Sequence, residues 1–285
     1  MVKQLIENFY YSFDGSFSFY LLKGEKNILI DAGILDRVNL LNKFIQKTLN
    51  PKEKIDIVLL THSHYDHCGG IPFLKEFFPD IKIMGSERTK AIFSKQQARN
   101  FIKEMNESIA TEKKYNDYEK LIIDAVLKEG NIIETGKFKI KVLETPGHTK
   151  CSLSFYEENN KIFFAGDSSG ILEKNDKIKP LFFSEYSRYL KSMDKIKSFN
   201  MDILALPHNI PFKQQTVSLF IENSYNRAKE IGENIKERLL KGLTEDEIVR
   251  GYMLKQFDIK DAMDQPMETF MLNLYSLVRA VKKEV

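Results

Sequence analysis

The chain has 285 residues, with 43 Lys and Arg against 40 Asp and Glu for a net charge of +3, and 42% of its residues are hydrophobic. That apolar content is enough for a sizeable core in one large domain or two small ones, and the near balance of charge argues against a nucleic-acid partner. Two cysteines, Cys68 and Cys151, are too few for a disulfide framework. No signal-peptide pattern opens the chain, and no apolar run approaches the ~20 residues that cross a bilayer. The expectation is a cytoplasmic protein without a membrane partner.

From Val2 to Asp31 the pattern is β. Phe17, Phe19 and Leu21 alternate with Ser16, Ser18 and Tyr20, Asn27 to Ile30 form a second apolar run, and Asp14-Gly15 and Lys23-Gly24 read as turns. Val38, Leu41, Ile45 and Leu49 follow helical spacing over 36–49, with Pro51 at the exit. Ile55 to Leu60 is a short buried strand. A helix is predicted over 72–78, a strand over 81–84, and another helix opening at Ser86-Glu87. Residues 95–128 read as a polar helical insert with Tyr115, Tyr118, Ile122 and Ala125 on one stripe; packed elaboration is its plain reading, and its place between two strand groups makes it a candidate wall of a substrate pocket.

Strand signals return where Phe138, Ile140 and Val142 alternate with Lys137, Lys139 and Lys141, a solvated lysine face opposite a buried one. Strands follow at Leu153 to Phe155 and Ile162 to Phe164, a helix over 185–199, and a last strand over 202–206. From about Gln214 the remainder reads as helical. Val217, Ile221, Ala228, Ile235 and Leu239 share one face, Thr244 to Glu247 matches a capping box, and Met267, Phe270, Leu274, Leu277 and Val281 share another. Met253, Met263, Met267 and Met271, with Phe182 and Phe183, are either helix packing or the lining of an acyl or aryl pocket.

Three of the five histidines, His62, His64 and His67, fall within six residues that also hold Asp66; random placement would put about 0.1 histidine there. They follow the 55–60 strand. His148 in Thr145-Pro146-Gly147-His148, Asp167 in Ala165-Gly166-Asp167 and His208 in Leu206-Pro207-His208-Asn209 also stand at strand exits, where a sheet holds loops rigidly. Five imidazoles and two carboxylates exceed what one tetrahedral zinc uses and suit two divalent ions, zinc, iron or manganese. Cys68 adjoins this cluster but reads as core packing, and Ser63 and Tyr65 as framework.

With these motifs in place, the sequence resembles the metallo-β-lactamase fold superfamily of metallohydrolases over residues 5–211. The resemblance implies an α/β fold, an αββα sandwich of two mixed sheets with outer helices. It implies that His62, His64 and His148 hold one metal, that Asp66, His67 and His208 hold the second, and that Asp167 bridges them. Asp31 then acts from behind the ligands as the carboxylate that orients the loop. The segments Leu60 to Gly69, Phe78-Pro79 and Gly85 to Thr89, the insert and the helical tail also resemble the thioesterase of bacterial alkylquinolone-signal biosynthesis. Pro207-His208-Asn209 departs from the usual Pro-Gly-His-Gly of relatives.

The expected organisation is a hydrolase core over 1–211 with the insert at 95–128, and a helical extension over 212–285 capping the active site. The expected activity is hydrolysis of a small-molecule thioester or activated ester by a metal-bridging hydroxide, with Asp66 orienting the nucleophile or passing a proton to the leaving group. Lactone or phosphodiester hydrolysis on the same centre, and a ligand-sensing or interaction protein with a structural metal centre, are the alternatives. The helical tail leaves room for a homodimer.

Overall fold

The structure, a computed structural model, describes residues 1–111, 115–173, 176–255 and 267–285. It divides into two compact units, one of Met1–Glu144, Leu153–Gly166 and Leu204–Pro211, the other of Thr145–Ser152, Asp167–Ile203 and Phe212–Val285. The first unit carries a sheet in the spatial order β1 (Val2–Ile6), β2 (Phe9–Phe13), β3 (Ser18–Leu22), β4 (Ile28–Ile30), β5 (Ile57–Leu59), β6 (Lys82–Ser86), β7 (Ala125–Leu127). Neighbours are antiparallel from β1 to β4 and parallel from β4 to β7. Parallel neighbours need a long crossover, and each one here contains helix: α1 (Val38–Thr48) between β4 and β5, α2 (Tyr65–Cys68) and α3 (Ile71–Phe77) before β6, and α4 (Glu87–Phe93) and α5 (Gln96–Ile109) before β7. At the start of α4 the Ser86 hydroxyl accepts from the Thr89 amide at 3.2 Å, the N-cap that its sequence promises.

A second sheet follows with β8 (Ile132–Glu134), β9 (Lys139–Glu144), β10 (Leu153–Glu157) and β11 (Ile162–Phe164), each antiparallel to the next. The two sheets face each other within the first unit. Phe164 meets Phe9 edge-on at 5.6 Å between ring centroids and Tyr20 at 5.9 Å. Every residue of β3 is buried. Successive side chains point to opposite faces, so Tyr20 meets the second sheet while Phe19 and Leu21 join Leu41, Phe44 and Ile45 of α1 in one apolar cluster. Covering both faces of the central strands is what lets this sheet be parallel in its middle.

The second unit contains the hairpin β12 (Ile171–Leu172) with β13 (Ile178–Lys179), then α6 (Tyr186–Lys197); Leu204 and Ala205 of β14 (Ile203–Ala205), which belong to the first unit, lie beside β11 in the second sheet, and in the second unit β15 (Phe212–Lys213) precedes α7 (Gln215–Leu240), α8 (Glu245–Lys255) and α9 (Met267–Lys282). Tyr189 and Met193 of α6, Ile231 and Ile235 of α7, Ile248 and Tyr252 of α8, and Phe270 and Leu277 of α9 form its core. Thr244 and Glu247 exchange the two bonds of a capping box, 2.8 Å and 3.3 Å long. Met253 and Met271 pack against this core, Met267 is exposed, and Met263 lies outside the described residues. No helix among the described residues is long and apolar enough to cross a membrane.

The insert departs from its sequence reading. Helix α5 ends at Ile109, Tyr118–Lys120 is a single 3-10 turn, and Ala125–Leu127 is the strand β7 on the edge of the first sheet, so the stripe from Tyr115 to Ala125 does not exist. Tyr118 is buried while Ile122 is 54% exposed. The open edge of β6 offers backbone hydrogen bonds that an apolar Ala-Val-Leu run takes up, and four apolar residues at helical spacing do not outweigh them.

The sheet-to-sheet contact sets a stability test. Phe164 is 1% exposed and Phe101, on α5, is 53% exposed. Phe164→Ala is expected to cost about 3–5 kcal/mol in urea unfolding, and Phe101→Ala to stay within about 0.5 kcal/mol of the parent.

Candidate metal centre

The first unit brings together five of the seven residues singled out in the sequence. Ile30 of β4 pairs with Leu59 of β5, and the Asp31 amide donates to the Leu59 carbonyl at 3.0 Å. Two parallel strands therefore end side by side, with Asp31 on one and Thr61-His62 on the other. Asp31 is 2% exposed. Its Oδ1 accepts the Thr61 amide at 2.7 Å, and its Oδ2 accepts the Thr61 hydroxyl and His67 Nδ1, both at 2.8 Å.

These bonds decide which imidazole nitrogens carry protons. His67 Nδ1 donates to a carboxylate, which can only accept, so its Nε2 presents a lone pair. The Thr61 hydroxyl gives its proton to Asp31 and so accepts from His62 Nδ1 at 3.0 Å, leaving His62 Nε2 in the same state. His208 Nδ1 donates to the Ser16 carbonyl at 3.2 Å. His64 stands before α2 with its ring 4.6 Å from that of His62.

Asp66, His67 and His208 each offer one ligand atom, and these atoms lie within 4.8 Å of one another. His208 Nε2 is 3.6 Å and His67 Nε2 4.0 Å from Asp66 Oδ2. Donors about 2.1 Å from a shared ion at tetrahedral angles lie about 3.4 Å apart. A direct imidazolium–carboxylate bond would instead close to the 2.8 Å seen between His67 and Asp31. Lone pairs facing a carboxylate at this longer spacing fit a divalent cation.

The loop bearing His208 is fastened along its backbone. Ser18 donates its amide to the Pro207 carbonyl at 2.6 Å and its hydroxyl to the Asn209 carbonyl at 2.8 Å, and the Tyr20 hydroxyl donates to the Leu206 carbonyl at 2.8 Å. Burial, foremost, together with the Asp66 charge, pushes the Tyr65 phenol well above its usual range, so it stays protonated. Cys68 is fully buried in the apolar cluster, its thiol 3.7 Å from the Ser63 carbonyl.

The second unit holds the other two residues. His148 Nδ1 donates to the Leu181 carbonyl at 2.7 Å, so its Nε2 lone pair faces Asp167 Oδ2 at 3.3 Å, again the spacing of two donors around one ion. Gly147 makes this loop possible. Its φ is +131°, and a Cβ there would lie 2.3 Å from the Tyr189 backbone of α6. Asp167 is 5% exposed, and the hydroxyl of Ser168 beside it donates to the Thr145 carbonyl at 3.0 Å.

The sequence reading missed Thr61, Ser18, Tyr20 and the Leu181 carbonyl. Thr61 carried a signal, a hydroxyl directly between the strand and the first histidine. The carbonyl contacts depend on loop paths and carried none.

The model of the metallo-beta-lactamase superfamily matches residues 11–208. The chain belongs to that superfamily. A metallo-beta-lactamase family protein from Thermus thermophilus shares the fold with a TM-score of 0.67 at 18% identity, over 99% of this chain and 95% of that one. Among curated proteins, the chain is similar to the hydroxyacylglutathione hydrolase GloC of Haemophilus influenzae, 30% identical over 146 residues, 50% of this chain and 61% of the relative. It is also similar to a hydroxyacylglutathione hydrolase of Buchnera aphidicola, 27% identical over 170 residues, 59% of this chain and 53% of the relative. The chain thus spans little more than half the length of these curated relatives. They are not the alkylquinolone-signal thioesterase of the narrower resemblance. Both are named as hydrolases, as the superfamily resemblance leads one to expect.

Asp31→Asn isolates the charge behind the loop. Asp31 has φ +55°, a conformation that Asn also tolerates, so little backbone strain is added. Losing the carboxylate that holds His67 is expected to weaken divalent-metal binding about 10- to 100-fold in a competition titration against a chelator. Unchanged affinity would mean that Asp31 only holds the strand ends together.

Proposed function

We propose that the protein is a dinuclear metal-dependent hydrolase of a small-molecule thioester. The observation that carries this reading is the set of imidazole Nε2 lone pairs turned toward carboxylates at ion-sharing distance, His67 and His208 toward Asp66 and His148 toward Asp167. We assign Asp66, His67 and His208 to one ion and His62, His64 and His148 to the other, with Asp167 shared. This follows the superfamily pattern and the number of donors. Two divalent cations, when bound, supply hydroxide near neutral pH and polarise a carbonyl oxygen.

The chain's own residues have distinct tasks. Asp31 and Thr61 hold His62 and His67 in the tautomer that presents Nε2. The Asp66 side chain is 25% exposed, so its carboxylate meets solvent and is the group we assign to orienting the attacking water and passing its proton onward. A thiol has a pKa of about 8.5 and leaves as thiolate without a strong acid. The seven donors supply no such acid, which favours a thioester over an alkyl ester. The names of the two relatives point the same way, since an acyl group carried on glutathione sulfur is a thioester. We look for acyl selectivity in the insert and in residues 212–285, taking 1–211 as the hydrolase core. Cys68 and Cys151, both buried and not joined in a disulfide, suit a reducing compartment, in keeping with a cytoplasmic enzyme.

The test is metal analysis of the purified protein, followed by assays on glutathione and coenzyme A thioesters, lactones and bis-phosphate esters. Two divalent ions per chain and thioester turnover that falls at least about 100-fold in Asp66→Asn and Asp167→Ala are expected. Preferential turnover of lactones or phosphodiesters would replace the substrate class and keep the centre. Tight small-molecule binding that survives metal removal, with no turnover, would make the protein a sensor.

A further inference from the structure

Helix α2, which carries Asp66 and His67, is four residues long, and the side chain of its N-cap, His64, does not cap it. So short a helix has no stability of its own, and its backbone must be held from outside. One holder is the Ala32 amide, which donates to the His67 carbonyl at 2.7 Å. Another comes from the insert. Asn106 of α5 is fully buried. Its Nδ2 donates to the Tyr65 carbonyl at 3.2 Å and to the Ile102 carbonyl at 3.0 Å, and its Oδ1 accepts the Leu35 amide at 2.9 Å.

The amide of Asn106 thus ties the first turn of α2 to the segment just after the Asp31 turn. Its two N–H bonds and its carbonyl are all engaged, so rotating or exchanging the two ends of the amide would break them. The loop is shaped around it. A Cβ on Gly69 would lie 2.2 Å from Asn106 Oδ1 and 2.6 Å from the Tyr65 carbonyl oxygen. The φ of Gly69 is −61°, so the glycine is needed there for room and not for backbone freedom. A second tether, the Thr111 amide and hydroxyl on Asp36 Oδ1 at 3.0 and 3.1 Å, lies in the exposed stretch just past the end of α5 and bonds neither α2 nor the donors.

We infer that Asn106 is a positioning residue for the Asp66–His67–His208 donor set, which makes the insert part of the metal centre as well as a candidate pocket wall. The inference rests on the proposed dinuclear function. Asn106 bonds the carbonyl of the peptide that joins Tyr65 to Asp66, so its loss acts most directly on the ion assigned to Asp66, His67 and His208, and only through the N-cap His64 on the other.

The experiment is a cobalt(II) titration of the metal-free full chain by calorimetry and visible absorbance, on wild type, Asn106→Leu, Gly69→Ala and, as control, Thr111→Ala. Wild type is expected to take up two equivalents. Asn106→Leu, close to isosteric but without hydrogen bonds, and Gly69→Ala, which crowds Asn106 from the loop side, are expected to weaken one equivalent about 10-fold or more and leave the other within about 2-fold. Their kcat should recover at saturating metal with KM unchanged, and Thr111→Ala should match wild type. Gly69→Ala serves if Asn106→Leu does not fold. Two equivalents at wild-type affinity in both loop variants, or equal weakening of both equivalents, would overturn this inference alone and leave Asn106 a purely structural residue. Fewer than two equivalents on the wild-type chain would overturn the dinuclear function, and this inference with it.

Discussion

The buried carboxylate of Asp31 carries the geometry of the sheet into the chemistry of the loop. A carboxylate removed from water is costly unless its oxygens are engaged, and those of Asp31 take the Thr61 amide, the Thr61 hydroxyl and His67 Nδ1 at 2.7–2.8 Å. This happens because β4 and β5 are parallel and in register, Ile30 opposite Leu59, so both chains leave the sheet at the same level. A slip of one residue would turn Asp31 to the opposite face and leave its charge unpaired in the apolar cluster. The same bonds that make burial tolerable select the Nδ1–H tautomer of two histidines, so strand register, carboxylate burial and ligand readiness form one constraint.

Placement at strand exits, a parallel strand for His62 and His67 and antiparallel ones for His148 and Asp167, also explains why the site was legible. A parallel strand must hand its chain to a crossover at its C-terminal end, and residues there are held by the sheet without being consumed by its ladder. His62, His67, His148, Asp167 and His208 each follow a strand in the sequence, and strand runs such as Ile55 to Leu60 announce themselves by apolar, β-branched composition. The insert was not legible in the same way. Tyr115, Tyr118, Ile122 and Ala125 match helical spacing, yet what decided their structure was the unpaired edge of β6, many residues away in sequence. Asn106 was missed for a related reason: one polar residue on the apolar side of a helix is indistinguishable from a solvated one until its partners, Leu35 and Tyr65, are brought beside it by the fold.

The departure at Pro207-His208-Asn209 has a simple physical reading. What fastens this loop is backbone: the carbonyls of Leu206, Pro207 and Asn209 accept from Ser18 and Tyr20. Any residue at 209 supplies that carbonyl, so an asparagine in place of glycine keeps the fastening. The specificity of the clamp lies instead on β3, where Ser18 and Tyr20 point toward the second sheet while Phe19 and Leu21 point to the apolar cluster under α1.

Exposure divides the first-unit donors by task. His62 and His67 are at most 1% exposed, whereas the side chains of His208 and Asp66 are 22% and 25% exposed and stand 3.6 Å apart. The buried pair is held through Nδ1 by Thr61 and Asp31 and has no freedom to move. The exposed pair meets solvent, which is where a catalytic centre must stay open. A proton taken up by His62 or His67 would occupy the Nε2 lone pair that each offers to a metal, while the Asp66 carboxylate can exchange its proton with the solvent it meets. The burial pattern therefore supports placing proton transfer on Asp66 and fixing the frame with Asp31, two carboxylates given different roles by the environment each occupies.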